Sequence, residues 1–142
     1  MADKPVFVLD TFAMLAYLGD ESTAPRVQQV LEDCKKNRCR SCISLINLGE
    51  VLYITEQRGG LSRAQDTLAL IQSLPVEIVS ADEQNVFAAA HIKANHPISY
   101  ADSFAVAAAL ERNGIVMTGD PEFKDVEEVV TIEWLEKKKQ SV

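Results

Sequence analysis

The feature that most constrains this chain is a short apolar run, Val6-Phe-Val-Leu9, that stops at an acid, Asp10. A run of this length without polar alternation suits a strand buried on both faces, as in a parallel sheet. Comparable runs recur at Arg40 to Ser44, Val76 to Val79, Gly114 to Thr118 and Glu128 to Ile132. Stretches of helix length separate them. Thr11 to Leu18 reads as helical and is stopped by Gly19; Ser22-Thr23-Ala24-Pro25 opens another helix to about Lys36, with a capping hydroxyl and an early Pro. Ser44 is placed to cap a helix through Glu56, Gly59-Gly60 breaks it, and Ser62 restarts one that runs to Ser73 ahead of Pro75. Ser80-x-x-Glu83 and Ser99-x-x-Asp102 have the form of capping boxes for helices to Ala94 and Arg112. Strands alternating with helices predict an α/β domain with a parallel sheet, helices on both faces and right-handed crossovers, its first strand central.

Composition narrows the class further. A length of 142 residues suits one domain spanning 1–142, and 47% apolar residues supply a core that a disordered segment lacks. The longest uninterrupted apolar stretch, Phe104 to Leu110, is far short of the roughly 18 residues a membrane span needs. The opening Met-Ala-Asp-Lys-Pro has no secretory pattern, so a cytoplasmic protein is expected. Three cysteines bunched at 34, 39 and 42 do not make a disulfide scaffold. Cys39-x-x-Cys42 has the spacing of half a zinc site or a redox pair, but no second pair of ligands matches it, and small, buried or half-buried strand residues are the expectation.

Four acids stand where apolar residues belong. In an open parallel sheet, ligands bind beyond the carboxyl ends of the strands. Asp10 closes the first strand, and Asp120 follows the fourth in Met117-Thr-Gly-Asp120. Alone, either acid reads as a helix cap. Glu50 is different: its helical neighbours are Ile46, Tyr53 and Ile54, and Asp102 repeats the pattern with Ile98, Ala105 and Val106. No Lys or Arg lies one turn from either. An ionised carboxylate on an apolar face needs a cation, a metal or a proton, and four converging carboxylates repel one another unless divalent cations neutralise them. Hard oxygen ligands of this kind suit Mg²⁺ or Mn²⁺, and metal-assisted phosphodiester hydrolysis is the chemistry that follows.

Val8-Leu-Asp10-Thr11-Phe, Ile46-Asn-Leu-Gly-Glu50-Val-Leu-Tyr, Ile98-Ser-Tyr-Ala-Asp102-Ser-Phe-Ala-Val-Ala-Ala-Ala-Leu and Thr118-Gly-Asp120-Pro-Glu-Phe together resemble the PIN-domain nucleases, above all the prokaryotic VapC-type ribonuclease toxins. The resemblance covers nearly the whole chain in the family's order. It implies a PIN-like fold with a five-stranded parallel sheet and an active site in which Asp10, Glu50, Asp102 and Asp120 are both catalytic residues and ligands of one or two Mg²⁺ or Mn²⁺ ions. Thr11 and Thr118 would support those acids by hydrogen bonding. It further implies an endoribonuclease that hydrolyses RNA with a metal-activated water, leaving 5′-phosphate and 3′-hydroxyl ends, and an antitoxin partner whose basic tail blocks the acids. Homodimers are common in the family, and Phe12, Leu15 and Leu18 on the first helices would serve a dimer or the core.

A net charge of −7 sits awkwardly with RNA binding, which rests on Lys and Arg. The four site acids, neutralised by two divalent ions, account for much of it. Lys35, Lys36, Arg38 and Arg40 form one basic cluster, Arg58, Arg63 and Lys93 are scattered, and Lys137-Lys138-Lys139 reads as a frayed end. Two other classes are open. Haloacid-dehalogenase-type phosphatases also begin with an apolar strand ending in Asp, but they need a general acid two residues on, where this chain has Phe12. A catalytically inactive PIN module that binds RNA or protein is the non-enzymatic alternative, against which stand intact acids at all four positions. His91 and His96 accompany no nucleophile elbow, and no Gly-rich phosphate loop is present, so nucleotide cofactors are not expected.

Overall fold

The computed structural model describes residues 4–135; the Lys137–Lys139 run lies outside them. Five strands, β1 (Val6–Leu9), β2 (Arg40–Ser44), β3 (Glu77–Val79), β4 (Ile115–Thr118) and β5 (Thr131–Trp134), form one sheet in the order β3-β2-β1-β4-β5. All four pairings are parallel, with Val8 opposite both Cys42 and Val116. β1 is therefore central, as its unbroken apolar run requires, and Val8 and Leu9 are fully buried. Alternation along β1 feeds two cores. Val8 packs with Phe104, Val106 and Val116 on one face, while Phe7 and Leu9 pack with Met14, Val27, Ile43 and Val51 on the other.

Six α-helices cover the two faces: α1 (Thr11–Leu18), α2 (Ala24–Lys35), α3 (Leu45–Gly59) and α4 (Leu61–Ser73) on the Leu9 side, and α5 (Glu83–Asn95) and α6 (Tyr100–Arg112) on the Val8 side. Phe12, Leu15 and Leu18 lie half-buried against the Leu9-side core. Ser44 caps α3 at Ile46 N, and Ser99 caps α6 at Asp102 N, both at 3.1 Å. No described helix is long and apolar enough to cross a membrane.

Three local expectations need correction. The cap of α5 is Asp82, whose carboxylate accepts from Asn85 N at 2.9 Å, and Ser80 only donates to that carboxylate; the charged oxygen is the stronger acceptor for a helix N-terminus. Thr23 precedes α2 in a helical conformation, and its buried hydroxyl caps nothing. The fifth strand starts at Thr131 rather than Glu128, because Asp120-Pro121 opens a 3₁₀ helix over Pro121–Val126 and residues 127–130 complete a turn. Val126 and Val130 anchor that turn in the core.

Candidate active site

The acids gather at the carboxyl edge of the central strands. Asp10 leaves β1 in extended conformation and caps α1, its Oδ1 accepting from Ala13 N at 2.8 Å. Its other oxygen accepts a short hydrogen bond from the Thr118 hydroxyl at the end of β4. Thr118 Oγ1 in turn accepts from Asp120 N at 3.0 Å, so one hydroxyl ties the β1 acid to the β4 acid. Asp120 then caps the 3₁₀ helix at Glu122 N, 2.9 Å away. The intervening residue has to be glycine: a Cβ on Gly119 would run into the Phe12 ring and stand 2.9 Å from the Leu135 carbonyl.

Asp102 lies in the first turn of α6, where the Ser99 cap fixes it, and is only 6% exposed although ionisable. Glu50 is half-buried on α3, within 3.4 Å of the Tyr53 hydroxyl one turn on. Carboxyl oxygens of Asp102, Asp120 and Glu122 lie within 4.8 Å of one another. Among the described residues, no Lys or Arg forms an ion pair with any of these five acids.

Burial without a cation has a consequence for protonation. It pushes the Asp10 carboxyl up to about 7; the charges of Asp120 and Glu50 add to the rise, and the hydrogen bonds from Thr118 and Ala13 oppose it. Burial likewise drives Asp102 up to about 8, helped by its hydrogen bond with Glu122 and the charges of Asp10 and Asp120, with Ser99 acting the other way. Asp120 and Glu50 are thus electrostatic neighbours of Asp10, and Asp10 and Asp120 of Asp102, close enough to oppose the ionisation of the two buried acids. The donor set is all hard oxygen, uncompensated and convergent, which fits a divalent cation with oxygen ligands.

Glu122 escaped the sequence reading, though its signal was present: an acid two residues after Asp120 in the opening turn of a short helix. Asn47 escaped it too. It is fully buried, and its Nδ2 donates at 3.2 Å to both Thr11 Oγ1 and the Ala101 carbonyl. One side chain on α3 thereby joins the residue after Asp10 to the residue before Asp102, one turn from Glu50. Thr11 accordingly meets Asn47 rather than a carboxylate, while Thr118 meets Asp10.

A sheet of this order, with acids gathered from β1, α3, α6 and the β4 loop, defines a recognisable class. The PIN domain family model matches residues 7–129, and the chain belongs to that family. Solved structures extend the likeness over most of the chain. VapBC2 from Rickettsia felis, bound to a DNA fragment from its promoter, is 18% identical at a TM-score of 0.72, covering 92% of this chain and 99% of that one. DNA-bound VapBC from Salmonella typhimurium is 22% identical at a TM-score of 0.72, covering 92% and 98%. VapC20 from Mycobacterium tuberculosis, a toxin that cleaves the sarcin-ricin loop, is 19% identical at a TM-score of 0.67, covering 83% and 92%. No curated protein sequence matches the chain.

Proposed function

We propose that this protein is a metal-dependent endoribonuclease, the toxin of a prokaryotic toxin–antitoxin pair. The observation that carries the reading is the convergence of Asp10, Glu50, Asp102 and Asp120, with Glu122, on one edge of the sheet, where no Lys or Arg among the described residues pairs with them. Asp10, Glu50, Asp102 and Asp120 would hold one or two Mg²⁺ or Mn²⁺ ions, and Glu122 stands close enough to Asp102 and Asp120 to join them. Such ions, when bound, lower the pKa of water and stabilise charge on the oxygens entering and leaving phosphorus.

The chain's own residues supply position and charge. Thr118 holds Asp10 by one oxygen and leaves Oδ1 on the α1 cap, so the carboxylate has little rotational freedom. The Ser99 and Asp120 caps do the same for the first turn of α6 and for the 3₁₀ helix. Ionised acids also repel the phosphate backbone, so RNA would approach only once the site is neutralised, with the exposed Lys35, Lys36, Arg38 and Arg40 as candidate phosphate contacts. The similar structures include a toxin–antitoxin complex from Klebsiella pneumoniae, and a basic antitoxin segment suits the same acids. We further propose a cytoplasmic homodimer in which residues 1–142 form one catalytic unit.

The test is cleavage of a pool of cellular RNA by the purified chain, freed of any partner, with Mg²⁺, Mn²⁺ or EDTA, and the product ends mapped. Discrete, EDTA-sensitive cuts that vanish in Asp10→Asn are expected. Intact RNA under all conditions would refute the reading, and hydrolysis of phosphomonoesters instead would point to a phosphatase.

A further inference from the structure

The strongest unassigned feature lies away from the acids, at the turn between α2 and β2. Its sequence, Cys34-Lys-Lys-Asn-Arg-Cys39, places two thiols five residues apart around a helix end. The backbone there closes in a Schellman motif: Arg38 N bonds to Asp33 O at 2.9 Å, Asn37 N bonds to Cys34 O at 3.0 Å, and Asn37 takes the left-handed conformation at φ 64°. Reversing the chain in this way carries Cys39 back onto the last turns of α2. Its sulfur lies 3.5 Å from the Val30 carbonyl and 3.1 Å from the Cys34 sulfur. The approach of the two thiols is thus imposed by main-chain hydrogen bonds.

The structure separates the cysteines differently from their spacing. Cys39 packs in the Leu9-side core and Cys42, three residues on, in the Val8-side core, since an odd step along an extended chain reverses the face. The Cys-x-x-Cys pair is therefore held apart by the sheet, and Cys34 is the partner of Cys39. Cys34 is half-buried and meets solvent, whereas Cys39 and Cys42 are 6% and 1% exposed and burial pushes both thiols up to about 12. Four exposed cations, Lys35, Lys36, Arg38 and Arg40, flank the two thiols along the chain, with Lys35 and Arg38 partly offset by Glu32 and Asp33 at 3.7 Å.

We propose that Cys34 and Cys39 are a redox-active dithiol that closes to an intramolecular disulfide by exchange with an anionic low-molecular-weight disulfide such as glutathione disulfide. The accessible Cys34 thiolate attacks one sulfur of the small disulfide; its S–S bond breaks, one thiol leaves, and a mixed disulfide stands on Cys34. The Cys39 sulfur then displaces the second small thiol and loses its proton. Two protein thiols and one small disulfide become one protein disulfide and two small thiols. The sulfurs need to close by only about 1 Å to reach the bond length of about 2.05 Å. The cations attract the anionic oxidant, and Cys42, on the far face, stays a thiol.

The experiment equilibrates the full chain in glutathione buffers from reducing to oxidising, alkylates free thiols and maps the digest by mass spectrometry. Trypsin cuts after Lys35, Lys36 and Arg38, so a link appears as two peptides held together. The expected result is three free thiols at the reducing end and one, Cys42, at the oxidising end, with a Cys34–Cys39 link and no retained glutathione. Cys39→Ser is expected to stop as a glutathione adduct on Cys34, and Cys34→Ser to stay reduced. Three free thiols in the most oxidising buffer, a persistent adduct on wild-type Cys34, or a link involving Cys42 would each overturn the proposal. The wild-type map decides even if a variant misfolds, and no outcome depends on nuclease activity.

Discussion

Two sets of acids on this molecule meet opposite electrostatic fates. Glu133 is gripped by Arg26 through two hydrogen bonds at 2.7 and 2.8 Å, and Glu77 is met by Arg112 at 3.1 Å. These carboxylates lie toward the surface, each with a guanidinium. Among the described residues, Asp10 and Asp102, at 1% and 6% exposure, have hydroxyls, backbone N–H groups and other acids as polar neighbours and no paired Lys or Arg. The chain thus has arginines available and places them elsewhere. A fold that leaves its most buried acids uncompensated is less stable at those positions than it need be, and positions of that kind mark function.

The sharpest way to break the comparison is to neutralise one acid of each set. Asp10→Asn keeps the cap on α1 and the shape of the side chain, yet it is expected to abolish cleavage, a loss of several kcal/mol being on the order of a thousandfold in rate. The same variant should make the metal-free protein more stable by about 1–3 kcal/mol near pH 8, since a buried charge is removed, as read by denaturant unfolding. A variant that lost activity and stability together would mean that Asp10 is a structural cap.

The pH dependence of metal-free stability comes next. Asp10 and Asp102 titrate near 7 and 8 in the folded chain and near 4 when unfolded. Between those limits the native state binds more protons than the unfolded one, so stability falls as pH rises from about 4 to 8 and levels off above. The expected decline is a few kcal/mol in order of magnitude. Thermal melts in EDTA across that range check it, and a curve that rises with pH there would contradict the buried, unpaired state of these acids.

Thr118→Val removes the donor that holds Asp10 while preserving volume. Losing a hydrogen bond that orients a metal-binding carboxylate typically costs 10–100-fold in affinity or rate, and cleavage assays at several Mn²⁺ concentrations would reveal it as a raised metal requirement. Smallest of all should be Glu133→Gln. A part-exposed ion pair contributes about 0–1 kcal/mol, so unfolding should shift by no more than that, with cleavage unchanged.

Much of this contrast was legible in the sequence, and the illegible part has a common cause. β1 and β4 announce themselves as apolar runs, and Asp10, Glu50, Asp102 and Asp120 stand out as acids at the end of such a run or beside apolar neighbours at helix spacing. The Asp82 cap was decided by competition between nearby polar groups, which periodicity does not rank, and the Thr131 start of β5 by the 3₁₀ helix and turn that precede it. Asn47 and the Cys34–Cys39 contact depend on backbone reversals and on elements brought together by the sheet. Glu122 joins Asp102 only because the 3₁₀ helix after Asp120 brings its carboxylate near the first turn of α6.

The central claim is that the uncompensated acids are ligands awaiting a divalent cation. The most direct measurement is a thermal-shift titration of the metal-free protein with Mn²⁺ at pH 7, beside Asp10→Asn and Glu133→Gln. A saturable rise in melting temperature for wild type and Glu133→Gln, absent or strongly weakened in Asp10→Asn, is the predicted result. No rise in wild type, or the same rise in Asp10→Asn, would contradict it.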